Sequence, residues 1–416
     1  LGSRTAVLFF AKESRSFVAM INPSVHGWID KFFLLEGTDG PSANLSEFYS
    51  DVRKTGFIYG YILSFYTEKD IDASGWLDDE KSKLALLIVL YRLHLYFRPN
   101  ATADEFISKT VSYYREMNPK GFNFIHKILP GNHKSAQLER ILDDRVQTND
   151  NIVSKNFSHI VTNALLFLDV LGYQKFLEHE QLPAKYLKRS EELIISIVSI
   201  ALQTKSGKSS YDELLIKLLD SSLRFGSYSE ISKRTPDTLP LDFFTSELER
   251  YYLLDMAGLA LYSDAVVEPQ ESIFLFQLGK SIGLSENHIR ESLKTSDAFI
   301  TENKSRISYF RYSNPVKHFY DHMSDNVTVL INRNKKRLAR EISQSGELVK
   351  LLAASTTRDL DEKEKKKVRK QLLDICKSIP SLTIFLLPGG SLLMPILIKF
   401  IPQLLPSAFN ENSETE

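Results

Sequence analysis

Residues 378–398 read SIPSLTIFLLPGGSLLMPILI, 21 residues without a formal charge. As one continuous helix, rising about 1.5 Å per residue, they would cross a hydrocarbon core of about 30 Å. Lys363, Lys365, Lys366, Lys367, Arg369, Lys370 and Lys377 crowd the N-terminal side, and Glu411, Glu414 and Glu416 follow the stretch. In a spanning segment that asymmetry keeps the N-terminal body in the cytoplasm. Pro388, Pro395 and Pro402 remove backbone donors, and Gly389-Gly390 weakens a helix where it would lie deepest. Backbone groups freed there must be buried in protein, wetted or closed by a partner helix. Three arrangements stay open: a broken spanning helix, a re-entrant hairpin of two half-helices, and a hairpin buried in a soluble helical domain.

Outward from this stretch the apolar spacing is helical. Residues 47–66 place Phe48, Val52, Gly56, Tyr59, Ile62, Leu63 and Tyr66 at intervals of three and four. Residues 78–97 begin with acids and continue as an apolar run that Arg92 and His94 interrupt and Pro99 stops. The run is too short and too charged to cross a bilayer and reads as a buried core helix. Residues 102–117 open another helix, with Asp104 and Glu105 at its positive end. Within 118–150, Pro119, Gly121, Pro130 and Gly131 mark a connector before a return to helix, and 152–177, 183–202 and 211–225 read as three further amphipathic helices. The polar, turn-rich segment 226–240, GSYSEISKRTPDTLP, is a linker. Residues 302–350 read as charged helix, and 355–361 break the chain before the basic helix.

No strand alternation of useful length and no fixed-period repeat is present. The expected architecture is therefore all-α and multidomain. It comprises an upstream segment 1–19, an N-terminal helical region 20–225, the linker, a helical domain 241–300, and basic helices with the proline-broken hydrophobic membrane segment in 301–416. Met20 opens MINPSVHGWIDKFF and reads as a native start. The apolar piece AVLFFA before it is too short and poorly framed for a signal peptide.

Lysine plus arginine equals aspartate plus glutamate, 52 against 52, so no global field favours nucleic acid. The basic segments are local, as a lipid surface requires. The one cysteine, Cys376, excludes an intrachain disulfide framework and a multi-cysteine zinc site, and it reads as a small packed residue. His318 and His322 share a helix face but lack a third zinc ligand. Gly207-Lys208-Ser209 lacks the glycine five positions earlier that a phosphate loop needs, since Leu202 stands there. No nucleophile motif or dinucleotide fingerprint appears, and enzymatic activity is not expected. Asp264, Glu268 and Glu271 are hard oxygen donors close in sequence, suited to Ca²⁺ or Mg²⁺, or equally to capping a helix.

Two resemblances follow from quoted residues. The run 358–409, RDLDEKEKKKVRKQLLDICKSIPSLTIFLLPGGSLLMPILIKFIPQLLPSAF, resembles the Letm family through its charged helix, Pro388, Pro395, the Lys399-Phe400-x-Pro402 step and the Leu405-Pro406-Ser407-x-Phe409 exit. That resemblance implies a membrane segment, a family linked to cation/proton exchange and to ribosome contact, and, for the GGS version, a biofilm-associated bacterial group. Ser391 stands where mitochondrial members carry an acid, which speaks against exchange, since an intramembrane carboxylate is the natural cation ligand. The region that carries ribosome contact in those members is expected to be missing after Glu416. Residues 241–300 resemble the TerB-like domain through LLDMAGLALYSDAVVEPQESIFLFQLGKSIGLSENHI, with Asp264 and Glu271 at its acidic positions and Ala265 in place of the usual loop glycine.

Taken with the charge pattern, these features lead to the expectation of a membrane-attached structural or regulatory protein at the bacterial inner membrane, its body in the cytoplasm. Its partners would be lipid, through 378–409 and the flanking basic helices, and other proteins. A cation/proton transporter subunit and a soluble cytoplasmic metal-sensing scaffold are the alternatives.

Overall fold

Seven successive apolar residues, Leu84 to Leu90, decide the centre of the N-terminal unit. They are all buried, so the helix that carries them, α3 (Asp78–Phe97), is surrounded by other helices. Acids in its first turn face the positive helix end, and the Glu80 carboxylate accepts the Leu77 N–H at 2.7 Å. The computed structural model describes residues 21–35, 40–67, 71–117, 133–146, 165–205, 239–261, 269–303, 326–386 and 394–400. Every regular element among the described residues is helical, as expected.

Around α3 the unit contains α1 (Trp28–Leu35), α2 (Leu45–Lys54), α4 (Ala103–Met117), α5 (Lys134–Val146), α6 (Phe167–His179) and α7 (Tyr186–Thr204). It is completed by α8 (Glu247–Leu261), α9 (Pro269–Ser281) and α10 (Glu286–Asn303). α3 packs on α5 and α6, whereas α8 packs on α2, α7, α9 and α10. The helices of 241–300 thus share one compact unit with the N-terminal helices. The described residues from 326 onward form a second unit.

Local chemistry sets many of the helix ends. Asn44 accepts the Glu47 N–H at 2.8 Å and caps α2, and Thr102 accepts the Glu105 N–H at 3.2 Å before α4. Pro269 opens α9, Gly283 leaves it with φ +76°, and Ser285 accepts the His288 N–H ahead of α10. The single helix expected over 47–66 is not formed. α2 stops at Lys54, Gly56 turns the chain at φ +84°, and one 3-10 turn, Phe57–Tyr59, precedes Gly60 at φ +78°. A Cβ at position 56 would stand 2.1 Å from the Tyr61 carbonyl oxygen, so glycine is required. Phe48, Val52 and Tyr59 are still buried, while Ile62, Leu63 and Tyr66 are half-buried, along a fold-back of the chain rather than a helix face.

Two arginine–aspartate pairs are enclosed in this unit. Arg53 of α2 donates to Asp255 of α8 through Nε at 2.8 Å and Nη2 at 3.1 Å, and Tyr49 donates to the same carboxylate at 2.7 Å. Ser292 of α10 donates to Asp255 Oδ1 at 2.8 Å. Arg145 of α5 donates to Asp169 of α6 through Nε at 2.6 Å and also through Nη2, and Tyr114 of α4 donates to it at 2.9 Å. Burial, with the neighbouring carboxylates, pushes the Tyr49 and Tyr114 phenols well above their ordinary range.

His94 is enclosed between Phe106 and Tyr173. Thr110 donates to the Tyr173 hydroxyl at 3.1 Å, which assigns that hydroxyl as donor to His94 Nδ1 at 2.8 Å and leaves the ring proton on Nε2, where no partner stands. Burial pushes the imidazole down to about 4, with Arg98 and Lys109 adding to the shift. Folding therefore holds His94 neutral, and its contribution is complete above the unfolded pKa of 6.5 and declines as pH falls toward 4. Urea melts between pH 7 and pH 4 are expected to show wild type losing about 2 kcal/mol more than His94→Gln. Parallel pH dependences for the two proteins would contradict the assignment.

Candidate functional site

In the second unit, residues 326–333 are helical, followed by α11 (Lys335–Gln344), α12 (Gly346–Thr357) and α13 (Glu362–Ser378). After them come a 3-10 segment, Pro380–Leu386, and α14 (Met394–Phe400). α13 starts on a reciprocal cap: Asp361 accepts the Glu364 N–H at 2.7 Å, and Glu364 accepts the Asp361 N–H at 2.9 Å. Arg358 grips the same glutamate with two guanidinium nitrogens at 2.6 and 2.8 Å. That fork, joined by the backbone bond, holds the Glu364 carboxyl down at about 2. The break expected over 355–361 is this junction, with Arg358 extended between α12 and the cap.

α13 is amphipathic in the plainest sense. Val368, Leu372 and Cys376, four apart, form its buried stripe. Lys363, Lys365, Lys366, Lys367, Arg369, Lys370 and Lys377 are all exposed. Lys365, Lys367 and Lys377 pair with Glu362, Glu347 and Asp374 at 3.0, 2.8 and 2.7 Å. Among the described residues, Lys363, Lys366, Arg369 and Lys370 form no direct ion pair, Lys370 acting only at longer range on the Asp374 carboxylate. On α11, Leu338 and Ile342 are buried while Lys335, Lys336, Arg337 and Arg340 face solvent. Residues 326–400 hold 15 lysines and arginines against 7 aspartates and glutamates, a local excess inside a chain that is neutral overall.

The uncharged stretch does not continue α13 as a single helix. α13 ends at Ser378, and Ile379 is extended (φ −115°, ψ 103°). The physical cause is Pro380, whose ring disfavours helical backbone at the preceding residue. The 3-10 segment packs back on α13 and buries Ile379, Leu382 and Phe385. Arg337 of α11 donates to the Ser378 carbonyl at 2.7 Å, at the point where the uncharged stretch begins. In α14, Met394, Ile396 and Leu397 are buried and Ile398 is 44% exposed. No helix among the described residues is long and apolar enough to cross a membrane.

Of the residues assigned to the membrane segment, Pro395 is exposed in the first turn of α14, and position 399 belongs to the last turn of that helix. Pro388, Gly389, Gly390, Ser391 and Pro402 lie outside the described residues, as do Asp264, Glu268, His318, His322 and 207–209. Glu271, the remaining candidate metal ligand, is buried in the first turn of α9. Among the described residues no group of three or more His, Cys, Asp or Glu side chains is placed to hold a metal. Arg337 and Arg358, which organise the ends of α13, were not singled out by sequence for those roles. A basic side chain near a helix C-terminus, and one shortly before an Asp-x-x-Glu cap, are the available signals.

Cys376 is fully buried, and burial pushes its thiol up to about 12. A maleimide is expected to label it slowly in native buffer and rapidly in denaturant, as mass spectrometry would record. Equal rates in the two conditions would contradict this packing.

No curated protein and no solved structure matches the chain. A family model described as "LETM1-like, RBD" matches residues 360–416, which begin just before the cap of α13 and take in the whole uncharged stretch. By that match, the C-terminal segment of this chain is LETM1-like.

Proposed function

We propose that this is a membrane-attached protein of structural or regulatory function, whose LETM1-like segment and basic helices make the attachment and whose helical body stays on the cytoplasmic side. The observation that carries the reading is the row of seven exposed cations on α13, four of them outside any direct ion pair among the described residues, immediately before an uncharged stretch of 21 residues. Juxtamembrane cations of this kind are worth about 1 kcal/mol each against an anionic leaflet. The family match supports membrane-associated ion homeostasis as the setting. A bacterial inner-membrane location and a biofilm-associated role are the finer parts of the proposal. The TerB-like reading of 241–300 belongs to it too, supported by the order of α8, α9 and α10.

Vesicle co-sedimentation tests the attachment. The full chain is expected to pellet with phosphatidylserine-containing vesicles, and less completely at high salt. The triple variant Lys363→Glu, Lys366→Glu, Lys370→Glu should bind at least about a hundredfold more weakly. A chain that stays in the supernatant with anionic vesicles at low salt would end the proposal.

A further inference from the structure

The membrane reading leaves open how an uncharged stretch is kept from lipid and from other chains before it docks. We infer that the first third of that stretch is stowed on α13 and latched by Arg337, and that an anionic surface opens the latch by competing for its guanidinium. Three observations converge on the turn at Ile379. Ile379 is buried at the turn, and Leu382 and Phe385 are buried on the 3-10 segment after it, which packs back on α13. Val368, Leu372 and Cys376 form the buried face of α13, a helix that the 3-10 segment, α12 and α11 all contact. Arg337, itself exposed, joins α11 to the last carbonyl of α13 at 2.7 Å.

The bond is placed where phosphate can reach it. A guanidinium takes a lipid phosphate bidentately with a full charge opposite, whereas the Ser378 carbonyl offers one neutral acceptor. Lys335, Lys336 and Arg340 on the same helix draw the surface toward Arg337. Once Arg337 turns away, the α13 terminus loses a capping donor and the segment can hinge at Ile379, which already has extended backbone. The basic helices then do two things in order: they find the surface, and in binding it they free the apolar side chains.

Cys376 reports the event without any engineered label, because it is the chain's one cysteine and lies on the covered stripe. This inference rests on the membrane reading, and two separate readouts distinguish their failures. In native buffer, Arg337→Gln is expected to raise the rate of Cys376 labelling about tenfold, the population shift that removing a bond of about 1.4 kcal/mol produces. Phe385→Ser should raise it as well, by weakening the stowed segment itself. Phosphatidylserine vesicles should accelerate labelling of wild type, and phosphatidylcholine vesicles should leave it slow. Pelleting with anionic vesicles at an unchanged labelling rate would overturn the latch while leaving attachment intact. Absence of pelleting would overturn both, and an Arg337→Gln rate equal to wild type, with unchanged circular dichroism, would overturn the latch alone.

Discussion

Asp255→Ala is expected to cost about 3–5 kcal/mol of the unfolding free energy, enough to leave many domains largely unfolded. The reason is the cation left behind. Arg53 is 6% exposed, and its nearest carboxylate would be gone. Burial works against that charge, and the Asp255 carboxylate together with the Tyr59 and Tyr49 phenols more than offsets it, holding the guanidinium protonated well above its ordinary range. Tyr49 and Ser292 would lose an acceptor at the same moment. Urea denaturation of the full chain, followed by circular dichroism, measures the loss. The double replacement Arg53→Met with Asp255→Leu removes both charges and is expected to recover most of it. A double variant no better than Asp255→Ala would show that the hydrogen bonds, and not the stranded charge, set the cost.

Asp169→Ala carries a cost of the same order, about 3–5 kcal/mol, for a related reason. Asp169 and Arg145 are both buried, and the carboxylate ties α5 and α4 to α6. Tyr113 adds a bond to the Asp169 carbonyl at 2.9 Å, which the substitution leaves in place. Tyr114→Phe removes only one neutral donor and should cost about 1 kcal/mol. The ratio between these two variants is the informative measurement. Comparable losses would mean that Arg145 finds another partner when Asp169 is gone.

The helices around these pairs were legible from spacing, capping residues and proline positions. The pairs themselves were not, because Arg53 and Asp255 lie 202 residues apart and Arg53 stands in a charged run, SDVRK, that reads as a solvated face. A signal did exist on the other side. Asp255 interrupts LLDMAGLAL and Asp169 interrupts LLFLDVLGY, and a lone carboxylate inside an apolar run calls for a buried partner. The fold-back at Gly56 was hidden for a different reason: intervals of three and four fit a helix, and only the close approach of Tyr61 requires the glycine. At the C-terminus the charge asymmetry was plain. The stowed packing was not, since an uncharged run reads the same whether lipid or protein covers it. Pro380 alone marked where α13 had to stop.

The 202-residue separation of Arg53 from Asp255 also bears on how the protein is made. A chain emerging from synthesis in order holds α2 long before the carboxylate that neutralises it exists. Until residue 255 has been added, that arginine has no way into the core except as an unanswered charge. The N-terminal helices must therefore wait, partly open, for the rest of the unit to arrive. Truncated products that end before α8 should be the ones that proteases and chaperones recognise.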